Sequence, residues 1–275
     1  MVADAQELRT FRLQAAGCET RVLAIGTGTP VLLLHGIFDD GESFVPLMRM
    51  LAGRGFACYA IDLPGFGQAQ LGDDVPCGTE DSARWAWALI DALEQTGESP
   101  QPWWMVGHSM GSGVAARMAS LMPERTNGLV MLAPAPHVGS SPMAPKWLPA
   151  RLFAWVFGVA SRNDCFERIV RKAYGSDVVA RKEALRDGLS REGLAAYTLR
   201  LVTVRCRHGV YQGRTLAVFA LRDRVVRRSE RKIRALAPNA CFSSVEGASH
   251  GFHETRAAEV FTHMVAFMTK NSYRG

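Results

Sequence analysis

Short, almost continuously apolar segments recur along this sequence, and longer segments with a helical pattern separate them. An apolar segment without alternation is typical of a strand that is buried on both faces, as strands of parallel sheets are. Strands that alternate with helices also favour a parallel sheet covered by helices. The sequence therefore predicts an α/β fold with a mostly parallel central sheet flanked by helices. The predicted central strands are residues 31–34, 57–62, 103–107, 128–132 and 215–221.

Further strands are predicted at both ends of the chain. Residues 7–15 and 20–25 form two opening strands around a turn at Gly17, and residues 241–245 form the last strand. The Gly-Thr-Gly segment at residues 26–28 precedes a strand and lacks a third glycine, so it predicts a turn and not a dinucleotide-binding loop. The predicted helices are residues 82–94, 111–122 and 257–269.

Residues 137–210 interrupt the alternation of strands and helices. This segment has no strand pattern but contains several helix-like pieces that are rich in tryptophan and phenylalanine. A loop of this length without secondary structure is uncommon in a compact domain. We therefore expect a helical cap, or lid, at residues 137–210, inserted between two parts of an α/β core, residues 1–136 and 211–275.

The composition excludes several classes of protein. Hydrophobic residues make up 48% and charged residues 21% of the chain, as in globular proteins. The first ten residues contain Asp4 and Glu7 and lack a signal-peptide pattern, and no apolar run reaches the roughly 18 residues that a membrane span needs. Scattered cysteines without a Cys-x-x-Cys pair predict reduced thiols in a cytoplasmic protein and no metal site. They are Cys18, Cys58, Cys77, Cys165, Cys206 and Cys241.

The strongest local pattern is Gly107-His-Ser109-Met-Gly111, which lies directly after an apolar strand and directly before a helix of small residues. This Gly-x-Ser-x-Gly arrangement is that of a nucleophile elbow, a strained strand-to-helix turn that exposes the serine hydroxyl. A side chain at either glycine would collide with the neighbouring strand or helix. The helix N-terminus beneath the serine favours developing negative charge. The pattern predicts Ser109 as a nucleophile.

A serine nucleophile needs a base, and the base needs an orienting acid. Asp223 directly follows a predicted strand, at the edge where functional groups of α/β sheets collect. His250 lies in a small-residue loop before the last helix. The order serine, acid, histidine predicts a triad of Ser109, Asp223 and His250. The alternatives are His253 as the base, and Asp177 or Asp187 in the predicted cap as the acid.

Acyl transfer also needs hydrogen-bond donors that face the developing oxyanion. One donor is predicted to be the backbone N–H of Met110, the residue after the nucleophile. The other is predicted to be the backbone N–H of Ile37, which follows His35-Gly36 at the end of a strand. Taken alone, His35-Gly36 would be interpreted as a strand end.

At these motifs the chain resembles the α/β-hydrolase superfamily, in particular carboxylesterase-like serine hydrolases with a helical cap. The motifs occur in the family's order over residues 20–136 and 213–270. Two segments depart from the family pattern: Gln68-Ala-Gln70 stands where a serine or threonine is common, and Arg227-Arg228 where a proline is common. The residues that carry the resemblance are His35-Gly36, Ile61-Asp-Leu-Pro-Gly-Phe-Gly67, Gly107–Gly111, Asp223-Arg-Val-Val226 and Gly247–His250.

The resemblance implies the triad, the oxyanion hole and hydrolysis without a cofactor. A serine in place of an aspartate argues against the dehalogenase and epoxide hydrolase branches, which form an alkyl ester on a carboxylate. We expect cleavage of carboxylic esters or thioesters through an acyl-enzyme. The alternatives are a C–C bond hydrolase or acyltransferase of the same fold, and a ligand-binding protein without turnover. The predicted substrate contacts are Phe38, Trp155 and Phe252.

The charge distribution bears on partners. The net charge is +6, and the part before the predicted cap is acidic while the cap and the part after it are basic. A basic cap beside the entrance would steer an acyl group bound to an acidic carrier protein or to coenzyme A, although it is equally a solvated helix face. The arginine-rich segment 222–234 lacks interleaved aromatic residues, so it does not predict nucleic-acid binding, and no stable membrane insertion is expected.

Overall fold

A computed structural model describes residues 7–37, 39–69, 78–97, 102–135, 171, 211–226 and 229–270. The predicted cap, residues 137–210, therefore lies outside the described residues, apart from Arg171. The predicted substrate contacts Phe38 and Trp155 and the alternative acids Asp177 and Asp187 also lie outside them.

Eight strands form one sheet within the described residues, and each overlaps a strand that the sequence predicts. The spatial order is β1-β2-β4-β3-β5-β6-β7-β8. β1 pairs antiparallel with β2, and β2 pairs antiparallel with β4, whereas all later pairs are parallel. The predicted mostly parallel sheet is thus confirmed. The strands are β1 (Arg9–Ala15), β2 (Cys18–Ile25), β3 (Thr29–Leu34), β4 (Phe56–Ile61), β5 (Trp103–His108), β6 (Thr126–Leu132), β7 (Thr215–Ala220) and β8 (Cys241–Val245).

The sheet is covered by helices, of which six lie within the described residues. Residues 82–94, 111–122 and 257–269 were predicted to be helical and correspond to α2, α3 and α6. Short 3₁₀ turns at Gly41–Phe44 and Pro123–Arg125 complete the connections. The helices are α1 (Val45–Ala52), α2 (Thr79–Gln95), α3 (Met110–Leu121), α4 (Ser229–Leu236), α5 (Phe252–Thr255) and α6 (Ala257–Met268).

The core consists of two apolar clusters, one on each face of the sheet. Along β3, Leu32 and Leu34 belong to the cluster that α2 and α3 cover, while Val31 and Leu33 belong to the cluster that α1 and α6 cover. All four side chains are fully buried. Because both faces are covered, each strand position needs an apolar side chain, which explains the continuous apolar segments of the sequence.

The parallel strands bring four loops to one edge of the sheet. In the register, Leu34 at the end of β3 pairs with Gly107, and Gly107 pairs with Met131 of β6. The carboxyl ends of β3, β5, β7 and β8 therefore share one edge, and the loops after them carry the predicted site residues. No helix within the described ranges combines the length and the apolarity that a membrane span requires.

Candidate active site

Ser109 lies at the turn between β5 and α3 in a strained backbone conformation. Its φ is 51° and its ψ is −113°, a region that residues with a side chain rarely adopt. The turn is held from both sides: the N–H of Ser109 donates to the carbonyl of Leu132 at 2.9 Å, and the hydroxyl of Ser112 donates to the carbonyl of Gly107 at 2.6 Å. Strain of this kind persists where the surroundings fix it, and it is common at active sites.

The two glycines of the elbow are required by close backbone contacts. A Cβ at Gly107 would overlap the carbonyl of Gly111 and lie 2.5 Å from the backbone nitrogen of Ser112. A Cβ at Gly111 would overlap the carbonyl of Leu34 and lie 2.5 Å from the carbonyl oxygen of His35. The predicted collisions at both glycines are confirmed. The elbow is therefore packed backbone against backbone between β3 and α3.

Substitution of Gly111 tests this packing. We expect Gly111→Ala to lower the free energy of unfolding by about 3 kcal/mol or more, because the new methyl group meets backbone atoms that cannot rotate away. Gly53→Ala is the matched control, since Gly53 has φ −64° and a Cβ there would lie 3.5 Å from its nearest neighbour. We expect the control to change stability by less than about 1 kcal/mol. Urea unfolding measures both changes, and equal effects would contradict the packing argument.

The structure brings His250 and Asp223 together as predicted. Nδ1 of His250 lies 2.7 Å from Oδ2 of Asp223, and the two side chains are 0% and 6% exposed. The other carboxylate oxygen, Oδ1, accepts the N–H groups of Val225 at 2.7 Å and Val226 at 3.0 Å. Since a carboxylate only accepts, the neutral imidazole carries its proton on Nδ1. Its Nε2 is then the basic nitrogen.

Asp223 is held in its charged form. Burial alone would raise the pKa of Asp223, but the hydrogen bond and charge of His250, with the N–H groups of Val226 and Val225, outweigh burial and lower the pKa. An ionised Asp223 both fixes the orientation of the imidazole and stabilises the imidazolium that forms when Nε2 takes a proton.

Ser109 is connected to His250 through the residue that precedes it. His108 Nε2 lies 2.9 Å from the backbone carbonyl of His250, and the two rings have centroids 4.8 Å apart. Gly36, in the loop after β3, also lies close to the elbow, since a Cβ at Gly36 would be 3.2 Å from Cβ of Ser109. The elbow, the His250 loop and the loop after β3 therefore meet at one place.

His35 fixes the orientation of the peptide unit that precedes Ile37. The backbone N–H of Leu63 donates to Nε2 of His35 at 2.9 Å, so Nδ1 carries the proton and donates to the carbonyl of Gly36 at 2.7 Å. In a trans peptide the carbonyl and the next N–H point in opposite directions. The N–H of Ile37 is therefore directed away from the His35 ring. Ile37 and Met110 are both half-buried against the cluster under α2 and α3.

Arg21 holds the loop that follows β3 in place, a role that the sequence interpretation missed. This buried arginine on β2 bonds Oδ2 of Asp62 through Nε at 2.9 Å and Oδ2 of Asp40 at 3.0 Å, and it also contacts Glu42. Burial would lower the pKa of Arg21, but the hydrogen bonds to Asp62 and Glu42 raise it. Asp62 in turn accepts the N–H of Gly41 at 2.8 Å. The carboxylates at 40, 42 and 62 could have indicated a partner of positive charge. The sequence does not show, however, that the fold places Arg21 between them.

A second buried cluster lies behind His250 and consists of Asp39, His108 and His253. The rings of His108 and His253 stack with centroids 3.9 Å apart, and Nε2 of His253 is 3.7 Å from Oδ2 of Asp39. All three side chains are buried. His253, the alternative base, thus faces Asp39, whereas His250 holds Asp223.

These three residues could in principle hold a metal ion, because their donor atoms lie within 4.8 Å of one another. An imidazole nitrogen binds a metal in the plane of its ring. The rings of His108 and His253 are stacked, and their planes are only 27° apart. The two planes therefore intersect much farther from either ring than the ~2.0–2.1 Å length of a metal–nitrogen bond. As oriented, the cluster fits a packed polar group and not a metal site.

The buried His108 makes stability depend on pH. Burial, followed by the charges of His253 and His250, lowers the pKa of His108 well below 6.5, whereas the unfolded chain binds this proton near 6.5. The stability contributed by neutral His108 is therefore complete above pH 6.5 and is lost as pH falls towards the folded pKa. Between pH 7 and 5.5 we expect wild type to lose about 1 kcal/mol more than His108→Gln, which keeps an N–H donor. Urea unfolding at several pH values tests this, and parallel curves would contradict it.

Phe252 is the one predicted substrate contact within the described residues. Its side chain is fully buried, with 0% of its surface accessible to solvent, and it packs in the cluster under α1 and α6. The ring of Phe252 therefore contributes to the core.

Comparison with known proteins places the chain among hydrolases. A family model described as the alpha/beta hydrolase fold matches residues 29–167, half of the chain. A pimeloyl-acyl-carrier-protein methyl ester esterase of Aeromonas hydrophila is 32% identical over 111 residues, 40% of this chain and 40% of that protein. A 2-hydroxy-6-oxo-6-(2'-aminophenyl)hexa-2,4-dienoic acid hydrolase of Metapseudomonas resinovorans is 30% identical over 129 residues, 45% of this chain and 41% of that protein. The similarity thus spans less than half of these relatives.

Solved structures agree with the fold. A thermophilic esterase from Thermogutta terrifontis superposes with a TM-score of 0.74 over 94% of this chain and 98% of that chain. The two sequences are 20% identical, so this similarity concerns the fold alone.

Proposed function

Because the chain belongs to the α/β-hydrolase family, we propose that it is a serine hydrolase that cleaves carboxylic esters or thioesters. The observation that carries the proposal is the strained Ser109 at the N-terminus of α3, beside the 2.7 Å pair of His250 and Asp223. A hydroxyl on an elbow, a buried imidazole and an ionised carboxylate are the groups that nucleophilic acyl transfer requires.

In the proposed first half-reaction, Nε2 of His250 takes the hydroxyl proton of Ser109 while Oγ attacks the substrate carbonyl carbon. The tetrahedral intermediate collapses as the bond from carbon to the leaving oxygen or sulfur breaks. The imidazolium donates its proton to the leaving alkoxide or thiolate. An alcohol or thiol departs, and the acyl group stays as an ester on Ser109.

In the proposed second half-reaction, His250 takes a proton from water, whose oxygen attacks the acyl carbon. The bond from this carbon to Oγ of Ser109 breaks, and the imidazolium returns the proton to Oγ. A carboxylic acid leaves and the enzyme is regenerated. Asp223 remains ionised throughout and stabilises each imidazolium.

The backbone N–H groups of Ile37 and Met110 are the proposed oxyanion donors. Support comes from the peptide orientation that His35 imposes on residue 37 and from the position of Met110 directly after the nucleophile. Removal of one such donor typically costs about 10²–10³ in kcat. The 12-residue helix α3 adds the positive end of its dipole at the same point.

The proposed substrate is an acyl group with an apolar chain, delivered free or on an acidic carrier. The relative from Aeromonas hydrophila is named for an ester carried on an acyl-carrier protein. We propose that residues 137–210 form the cap over the site and that Phe38 and Trp155 contact the chain. A C–C bond hydrolase is the second candidate, because the Metapseudomonas relative is named for a dienoic acid substrate.

A substrate panel separates these activities. It contains p-nitrophenyl esters of increasing chain length, the matching thioesters, and a 2-hydroxy-6-oxo-dienoic acid. We expect ester and thioester cleavage with an initial burst of leaving group, because acyl-enzyme accumulates when deacylation is slow. Turnover of the dienoic acid alone would favour the C–C bond hydrolase, and no turnover of any class would favour a ligand-binding protein.

A further inference from the structure

The loop that carries Asp223 presents both apolar and basic side chains to solvent. We call Leu221, Arg222, Arg224 and Val225 the acid-loop surface. Leu221 and Val225 are 59% and 48% exposed, and within the described residues they are the only large hydrophobic side chains exposed to this degree. Arg222 and Arg224 between them are also exposed. Exposed apolar side chains rimmed by charge are typical of an interaction site.

Among the residues that the structure describes, no carboxylate neutralises the positive charge of this surface. Arg222 and Arg224 have no ion pair with any carboxylate that the structure describes, and the same holds for the exposed Arg231 and Lys232 at the start of α4. Arg234 differs, since it pairs with Glu230 at 2.7 Å and its guanidinium lies 3.9 Å from the centroid of the Phe242 ring. Arg231 and Lys232 are therefore further exposed cations on α4, the helix that follows this loop in the chain.

Hydrogen bonds hold the loop that carries Asp223, so the exposure of its side chains follows from the fold. The N–H of Leu221 donates to the carbonyl of Val245 at 3.2 Å, and the N–H of Arg222 donates to the carbonyl of Ala248 at 2.9 Å. Oδ1 of Asp223 holds the following turn through Val225 and Val226. A partner that binds here would not need to order the loop, which lowers the entropic cost of association.

We propose that the acid-loop surface docks an acidic protein that carries the acyl group. Two aliphatic side chains flanked by arginines complement a protein surface with apolar and acidic side chains, and the exposed cations would steer its approach. The loop holds Asp223, which bonds His250, so a carrier docked there brings its acyl chain close to the proposed catalytic residues. The lack of an aromatic anchor makes the surface a poor membrane contact. This inference rests on the proposed ester or thioester hydrolysis.

Kinetics on matched substrates test the docking. The same acyl methyl ester is supplied on a bacterial acyl carrier protein, on coenzyme A and as the free ester. We expect Arg222→Gln/Arg224→Gln to lower the ratio of kcat/KM on the carrier to kcat/KM on the free ester about tenfold. Leu221→Ser should lower the same ratio by removing apolar contact. Arg54→Gln is the control, because Arg54 is exposed before β4, at the opposite edge of the sheet, and it should leave the ratio unchanged.

Direct binding separates the docking from the catalytic proposal. Fluorescence anisotropy of labelled acyl carrier protein is measured with the Ser109→Ala chain, and we expect binding that weakens with salt and in the double variant. Carrier binding without ester hydrolysis would overturn the proposed function and retain the docking surface. An unchanged ratio, an equal loss on coenzyme A, or binding to anionic vesicles in place of the carrier would each overturn the docking proposal.

Discussion

Replacement of Ser109 by alanine is expected to lower kcat for ester hydrolysis by about 10⁴–10⁶-fold, because Ser109 is the group proposed to form the acyl-enzyme. The residual rate would come from the proposed oxyanion donors and from substrate positioning. The substitution removes one oxygen from a side chain whose backbone strain is set by its neighbours. Stability should therefore change by less than about 1 kcal/mol. Steady-state kinetics with a p-nitrophenyl ester and urea unfolding measure the two effects.

Ser120→Ala is the matched control for this substitution. Ser120 lies on the same helix as the elbow, and its hydroxyl bonds the carbonyl of Ala116 within α3 at 2.9 Å. We expect this variant to keep the activity of wild type. If Ser109→Ala retained more than about one tenth of the wild-type kcat, nucleophilic catalysis by Ser109 would be wrong.

Replacement of Asp223 by asparagine is expected to lower kcat by about 10⁴-fold with little change in fold. Asparagine can keep its carbonyl oxygen against the N–H groups of Val225 and Val226 and so preserve the turn. Its amide NH₂ would then face His250 Nδ1, which must become the accepting nitrogen. The proton would move to Nε2, and the imidazole could no longer accept the proton of Ser109.

The comparison with Asp223→Ala separates the two roles of this carboxylate. Alanine removes both the turn contacts and the orientation of His250, so it should lower stability as well as kcat. Kinetics across pH provide a further check, because the rate of Asp223→Asn should recover at high pH if loss of the correct tautomer limits it. Equal kcat in wild type and Asp223→Asn would contradict the proposed role of Asp223.

Most of the sheet could be predicted from the sequence, because its strands are buried on both faces and have little freedom in composition. The helices α1 and α4 were not predicted. α1 is short and begins next to Pro46, and its burial of Leu47 and Leu51 depends on packing against α6 and β4. α4 is dominated by charge, and its helical form is supported by the pair of Glu230 and Arg234 and by the burial of Ile233.

Within the candidate site, sequence patterns next to strand ends predicted the elbow and the pair of Asp223 and His250. The contacts behind these residues depend on tertiary packing and could not be predicted. The elbow is a contiguous motif, and Asp223 and His250 each follow a strand of the same sheet, so their pairing could be predicted. The contact of His108 with His253 joins positions far apart in sequence. Neither residue type nor spacing indicates that the second residue of the elbow would pack against the last helices.

Labelling with a fluorophosphonate tests the central claim most directly, because this reagent reacts selectively with an activated serine. We expect a single adduct on wild type, mapped by mass spectrometry to the peptide that contains Ser109, with loss of ester hydrolysis in proportion to labelling. His250→Ala should label far more slowly, since its serine lacks a base. An adduct at another residue, or full ester hydrolysis by a protein that remains unlabelled, would contradict the assignment of Ser109 as the nucleophile.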